Sequence, residues 1–304
     1  MSNPELHFKT KTELLEWFKK NLSESLAEYF AVQETVRESG FSGSAKLLAR
    51  AADEKVDGFT SFLTELNLAR LLMTKEVKNI CYEPKQIPGI DFSYDNTLLS
   101  IKNLQLKDYE RTEHDEIERL ISAGGGKNTL SHKKPALSET FIEVEKNEMG
   151  TYTRTRTETG SSGFLESDIY QMSPPLKYIG EFENLANVDG HKKVLFIMSY
   201  SEDFMPYYAD DIGFWYFGYG PRNYRFIFAN DPSWYFKLLR AKKKQQNIDA
   251  LVFMFPPNPL IWPENCFSQT LDKEEHTRVL IYTRDAQLRS TLQNIFSGSG
   301  GALH

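Results

Sequence analysis

Cysteine is scarce in this chain. There are two, Cys81 and Cys266, far apart and in no CxxC pair, which excludes a disulfide framework or a structural zinc and suits a reducing compartment. The six histidines form no HExxH or other close ligand spacing, against a zinc hydrolase. GxxxxGK[ST] is absent, so this is no P-loop motor, and without GxSxG it is no serine hydrolase of that type. "SAGGGKN" matches a phosphate loop in composition only, because it follows a helix where it should follow a strand. No apolar run reaches membrane-spanning length, and "MSNPELHFKTKTELLEWF" carries no apolar signal core, so a soluble, cytoplasmic protein with no membrane partner is expected. A basic excess is missing too: at a net charge of −6, any nucleic acid must be met by a local patch.

What is present is a globular composition, 40% hydrophobic and 13% aromatic over 304 residues, enough for one large domain or two modest ones. Apolar groups recur at helical spacing over residues 12–37, and "ESGFSG" breaks the chain before a second helix at about 44–74. From 77 to 104 the period shortens to three strands, "VKNICYEP", "GIDFSY" and "LLSIKNL", punctuated by Pro84, Pro88 and the Asp95-Asn96 turn. A charged helix follows, and the polar, turn-rich stretch from about 124 to 164 reads as insertion, partly mobile. "HKKVLFIMSYS" and "NIDALVFMFPP" are further strands, with "DPSWYFKLLRAKKKQQ" a helix between them. The class is α/β. The boundaries expected are a helical extension at 1–40, a main domain at 41–290 with an insertion at about 105–165, and a flexible tail at 291–304.

The chemistry concentrates in "GIDFSYDNTLLSIKNL", residues 89–104. With a two-residue loop at Asn96-Thr97, Asp91 lies opposite Lys102 and Ser93 opposite Ser100. All four then share one face, with Ile90, Phe92, Leu99, Ile101 and Asn103 on the other. A carboxylate beside a lysine can hold Mg²⁺ and stabilise a phosphorane, and it can equally be a plain cross-strand ion pair. Gly58, Phe62, Glu65, Ala69 and Leu72 form one stripe of the preceding helix, so Glu65 sits in an apolar face and needs a partner. Lys102, a metal shared with Asp91, Arg70 or a backbone donor would serve.

A helical glutamate, Gly-Ile-Asp on a strand, then a hairpin into hydrophobic-x-Lys resembles the PD-(D/E)XK nuclease superfamily of restriction-endonuclease-like proteins. "TELNLARLL" is similar to its first core helix, "YEPKQIPGIDFSYDNTLLSIKNL" to its catalytic meander, and "AKKKQQNIDALVFMF" to its later helix and strand. The resemblance implies a mixed central sheet flanked by helices, with Glu65 and Asp91 on Mg²⁺ or Mn²⁺ and Lys102 activating the attacking water. Ser100 stands where the family usually has an acid. Some restriction enzymes with Ser-x-Lys recruit a carboxylate from the next helix, where Glu113, Asp115 and Glu116 are available, and Glu116 is the expected third ligand.

The resemblance implies an endonuclease hydrolysing DNA, restriction or defence related. A catalytically silent nucleic-acid-binding or scaffold module and an RNA-processing nuclease are the alternatives, and a homodimer is left open. Lys237, Arg240 and Lys244 line one helical face, beside Lys242 and Lys243, and suit phosphates. Arg222 and Arg225, among Trp215, Tyr219 and Tyr224, suit stacking. A solvated helix and an aromatic core edge are the bland counterparts of these two groups.

Overall fold

The computed structural model describes residues 8, 10–104, 108–131, 139–159, 175–183, 188, 190–199, 209, 212–213, 216–217, 247–255, 260–262 and 278–296. Chain entry is set by a capping box. Thr10 Oγ accepts from the Glu13 amide at 3.3 Å, and Glu13 Oε2 accepts from the Thr10 amide at 3.3 Å, satisfying two of the first-turn donors of α1 (Lys11–Asn21). The helix expected over 12–37 is two helices, α1 and α2 (Ser23–Ser39), parted at Leu22. Gly40 ends α2 in the left-handed conformation.

The helix expected at 44–74 is also divided, into α3 (Ser44–Ala49), a 3₁₀ turn (Arg50–Ala52) and α4 (Val56–Thr74). Lys55 makes a β-bridge with Thr10, and the Lys11 amide donates to the Glu54 carbonyl at 3.0 Å. Between the 3₁₀ turn and α4, Glu54 and Lys55 therefore pair with the distant N-terminus. Gly58 belongs to the same break: a Cβ there would lie 1.8 Å from Asp53 Oδ2. From Phe59 to Leu72, every residue of α4 but Ser61 is buried, as in a helix between a sheet and other helices.

Three antiparallel strands follow, β1 (Cys81–Tyr82), β2 (Phe92–Tyr94) and β3 (Thr97–Leu104). The charged helix is α5 (Asp108–Ser122). The polar stretch expected to be loose insertion folds as an antiparallel sheet of β4 (Gly126–Ser131), β5 (Glu139–Lys146) and β6 (Tyr152–Thr159). Its Ile142 and Val144 are buried with Ile117 and Leu120 of α5. Then come a helical segment at 175–183, β7 (Lys192–Ser199), β8 (Ala250–Phe255), β9 (Arg278–Thr283) and α6 (Ala286–Phe296).

The main sheet is mixed, in the order β1-β2-β3-β7-β8-β9, and parallel at β3–β7 and β7–β8. Helices flank it on both faces, so the protein is α/β. β7 and β8, inside the sheet, are apolar on both faces, as parallel interior strands are. One face carries Phe92, Leu99, Ile101, Phe196 and Val252, covered by α1–α4 and α6. The other carries Leu98, Leu195, Ile197 and Phe253, covered by 175–183 with Tyr216 and Phe217.

Two boundaries differ from expectation. Leu14, Phe18, Tyr29, Val32 and Val36 of α1 and α2 belong to the main core, so these helices are part of the domain where an extension was expected. Residues 291–296, read as tail, are helical, with Leu292, Ile295 and Phe296 buried. No described helix is long and apolar enough to cross a membrane.

Candidate active site

The β2–β3 hairpin turns at Asp95-Asn96, because β3 begins at Thr97, paired with Tyr94. Asp95 takes φ 45°, a left-handed conformation that Asp tolerates, and its Oδ1 accepts from Asn79 Nδ2 at 3.2 Å. This is two residues away from the register expected at the outset. Phe92 faces Leu99 and Ser93 faces Leu98, which carries Asp91 opposite Ser100. The grouping of Asp91, Ser93, Ser100 and Lys102 survives, because a shift of two keeps side chains on their faces. Ile90 does not stay with Phe92. The chain bends at Asp91, and Ile90 packs on the other face, with Leu98.

Asp91 is held tightly. Its Oδ2 accepts from the Ile101 amide at 2.6 Å and from Ser100 Oγ at 3.2 Å. One carboxylate oxygen thus takes the place that a strand carbonyl would fill. Among the described residues Oδ1 makes no hydrogen bond, and it is not a sealed atom. Burial raises the Asp91 carboxyl above its ordinary range. The Ile101 N–H, the Lys102 charge, Ser100 and the Arg50 charge each pull it back.

Lys102 follows Ser100 by two residues on β3. Its neighbour Asn103 faces α4, donating to Ser61 Oγ at 3.1 Å, so Lys102 stands on the opposite side of the strand, with Ser100. Among the described residues it makes no hydrogen bond or ion pair, though its charge reaches Asp91.

Glu65 approaches from α4. It is 4% exposed, and its partners are neither Lys102 nor Arg70. Arg50 Nη1 donates to Oε1, and the Tyr82 hydroxyl donates to Oε2 at 2.6 Å while accepting from Arg50 at 3.0 Å. Arg70 donates instead to the Trp262 carbonyl and pairs with Glu28 at 3.5 Å. Burial pushes the Glu65 carboxyl up to about 7, offset in part by the Arg50 charge and the Tyr82 hydrogen bond, with the Asp91 charge adding to the rise. Burial works against the Arg50 charge, yet Glu65 and Tyr82 outweigh it and hold the guanidinium charged. Arg50 is brought here by Gly43. That residue has φ 86° and lies so close to β1 that a Cβ would meet the Tyr82 carbonyl at 2.5 Å, so α3 and the turn after it lie against Tyr82.

Glu116 stays on α5, where its two oxygens accept from Arg119 Nε at 3.0 and 2.9 Å. Hydrogen bonding from Arg119 holds its carboxyl below the ordinary range. Among the described residues no three His, Cys, Asp or Glu side chains come together as a metal-holding group, so Glu116 does not join Glu65 and Asp91. Lys237, Arg240, Lys244, Arg222 and Arg225, and their neighbours Trp215, Tyr219, Tyr224, Lys242 and Lys243, lie outside the described residues.

The donors present suit a hard divalent cation. Two carboxylates feel each other's charge, one has an oxygen without a described partner, and the other already holds a cationic side chain. With no third acid among the described residues, waters would complete much of an octahedron. Arg50 and Tyr82 are the site residues that sequence reasoning missed. Each lies 15 or more positions from Glu65, across a helix break or on a later strand, so no local spacing marks them. Compared with known proteins, the chain matches no family model, no curated protein and no solved structure.

Proposed function

We propose that this chain is a nuclease of the restriction-endonuclease-like kind, hydrolysing DNA phosphodiester bonds with Mg²⁺ or Mn²⁺ at the Glu65–Asp91–Lys102 site. One observation carries the reading. Asp91 is bonded to Ser100 and feels the charge of Lys102 on the same hairpin, and its own charge acts on a buried helical glutamate. The order of elements supports it as well: a buried helix, a three-stranded antiparallel meander, then a strand parallel to the last of the three.

A divalent ion at such a site supplies a Lewis acid and a water of lowered pKa. The chain's own residues do the rest. Ser100 and the Ile101 N–H fix one oxygen of Asp91 and leave the other for the cation. Tyr82 fixes Glu65. Lys102 is a point charge on a flexible stem, suited to orienting the attacking water or a phosphate oxygen.

The test is incubation of the purified chain with plasmid, linear duplex, single-stranded DNA and RNA, in Mg²⁺, Mn²⁺ or EDTA. Cleavage that needs the metal and is lost in Asp91→Asn is the expected result. Cleavage insensitive to EDTA would refute it. Cutting of RNA alone would assign the same core to RNA processing. A second reading, a binding module without catalysis, is favoured by the Arg50 and Tyr82 contacts that engage both oxygens of Glu65. Retention of DNA with no cutting under any condition would select it.

A further inference from the structure

We propose that Arg50 is a displaceable resident cation of this site, competing with the divalent ion for Glu65 and so setting the metal affinity. The inference rests on the nuclease reading and concerns how that site is loaded.

Both oxygens of Glu65 are already bonded, one to Arg50 and one to Tyr82. Each oxygen keeps a lone pair for an ion, yet an ion that takes Glu65 must share the carboxylate's charge with the guanidinium already on it. Tyr82 is the poorer leaving partner, being 2% exposed and fixed on β1 beneath α3. Arg50 is the better one. Its side chain is 34% exposed against 6% for that of Glu65, and it belongs to a single 3₁₀ turn between two helices. The guanidinium can move toward solvent while the carboxylate stays.

Charge gives the exchange its direction. Arg50 also lowers the cost of ionising Asp91, so one positive side chain serves both acids of the pair. Adding a doubly charged ion while Arg50 and Lys102 both remained would place four positive charges on two carboxylates, and release of Arg50 lowers that to three. Taking up the ion and releasing the guanidinium are one event. Once released, Arg50 borders the site, where a planar, always charged guanidinium suits a phosphate oxygen.

The experiment measures metal binding without turnover, by Mn²⁺ titration of the full chain followed by electron paramagnetic resonance. Arg50→Met should tighten Mn²⁺ binding on the order of tenfold or more, since a unit charge a few ångströms from a cation is removed. Arg50→Gln keeps a donor for Glu65 while removing the charge. It should do the same, and it keeps the test decisive if Arg50→Met fails to fold. Glu65→Gln should weaken binding in either background. Unchanged or weaker Mn²⁺ binding in a folded Arg50→Gln protein would overturn the proposal, as would absence of binding in both wild type and variant. The two readings fail separately. Tightened Mn²⁺ binding with no cleavage of any substrate removes the nuclease and leaves the competition standing. Metal-dependent cleavage with an affinity indifferent to Arg50 removes the competition and leaves the nuclease.

Discussion

Glu65→Gln offers the most direct measure of how the buried carboxyl is held. In the folded chain this group is pushed from 4.5 up to about 7, chiefly by burial. At about 1.4 kcal/mol for each pH unit of that rise, folding is linked to protonation by roughly 3 kcal/mol. The sign follows from the direction. A raised folded pKa means that the native state holds the proton more firmly than the unfolded chain. The stabilisation is therefore complete below about pH 4.5 and is lost as pH rises through about 7. The glutamine side chain of the variant has nothing to titrate, so the stability of wild type relative to Glu65→Gln should fall by roughly 3 kcal/mol between about pH 4.5 and about pH 8. Asp91, also raised, contributes with the same sign in both proteins and largely cancels in the difference.

Urea unfolding of the two proteins at half-unit pH steps, with EDTA present to exclude divalent ions, gives that difference directly. A gap that widens in favour of wild type toward alkaline pH would refute the reasoning. It would mean that Arg50 outweighs burial and holds Glu65 ionised below its ordinary range. A flat gap would mean that burial and the Arg50 pair cancel.

Three other outcomes are expected. Asp91→Asn, which still accepts from the Ile101 N–H, should fold and retain DNA while cleavage falls by on the order of 10² or more; a plasmid-nicking assay beside a mobility shift reads both. Glu116→Ala should change neither cleavage rate nor Mn²⁺ affinity, because its carboxylate is engaged by Arg119 on α5; a large rate loss would reinstate it as a ligand. Gly58→Ala should stabilise an Asp53→Ala background by about 1 kcal/mol, the helix-propensity difference, and gain less in wild type, where Asp53 Oδ2 occupies the space; thermal melts of the four proteins form the cycle.

What could be read from sequence was what depends on period. The apolar stripe of α4 with Glu65 inside it, the meander at 81–104 and the strand at Lys192–Ser199 repeat at spacings that a window can see. The grouping of Asp91, Ser100 and Lys102 on one side was legible for the same reason, since parity survives any even shift. Register was not, because Asp95-Asn96 and Asn96-Thr97 are both acceptable loops, and the backbone of Asp95 with its contact to Asn79 decides between them. The break at Asp53–Lys55 was hidden because its hydrogen bonds go to residues 10 and 11. "TRTRTET" has the pattern of a polar insertion because the apolar half of its sheet lies elsewhere, on Ile142, Val144 and α5.

The buried polar groups of α4 do not all serve one purpose. Asn67 donates to the Leu63 and Leu260 carbonyls at 2.9 and 3.0 Å and accepts from the Trp262 amide at 3.0 Å, so it ties residues 260–262 to the helix. Arg70 donates to the Trp262 carbonyl. These are backbone contacts, and removing either residue leaves a buried main-chain group unpaired. Glu65 differs: among the described residues its partners are the side chains of Arg50 and Tyr82 alone, and no main-chain group bonds to it. Replacing a buried ionic set of this kind by apolar groups of similar volume is generally neutral or stabilising, by about 1–4 kcal/mol. Fold stability therefore gives little reason for a carboxylate at this place. Its charge acts on that of Asp91, and the metal chemistry proposed for the hairpin would account for a carboxylate there.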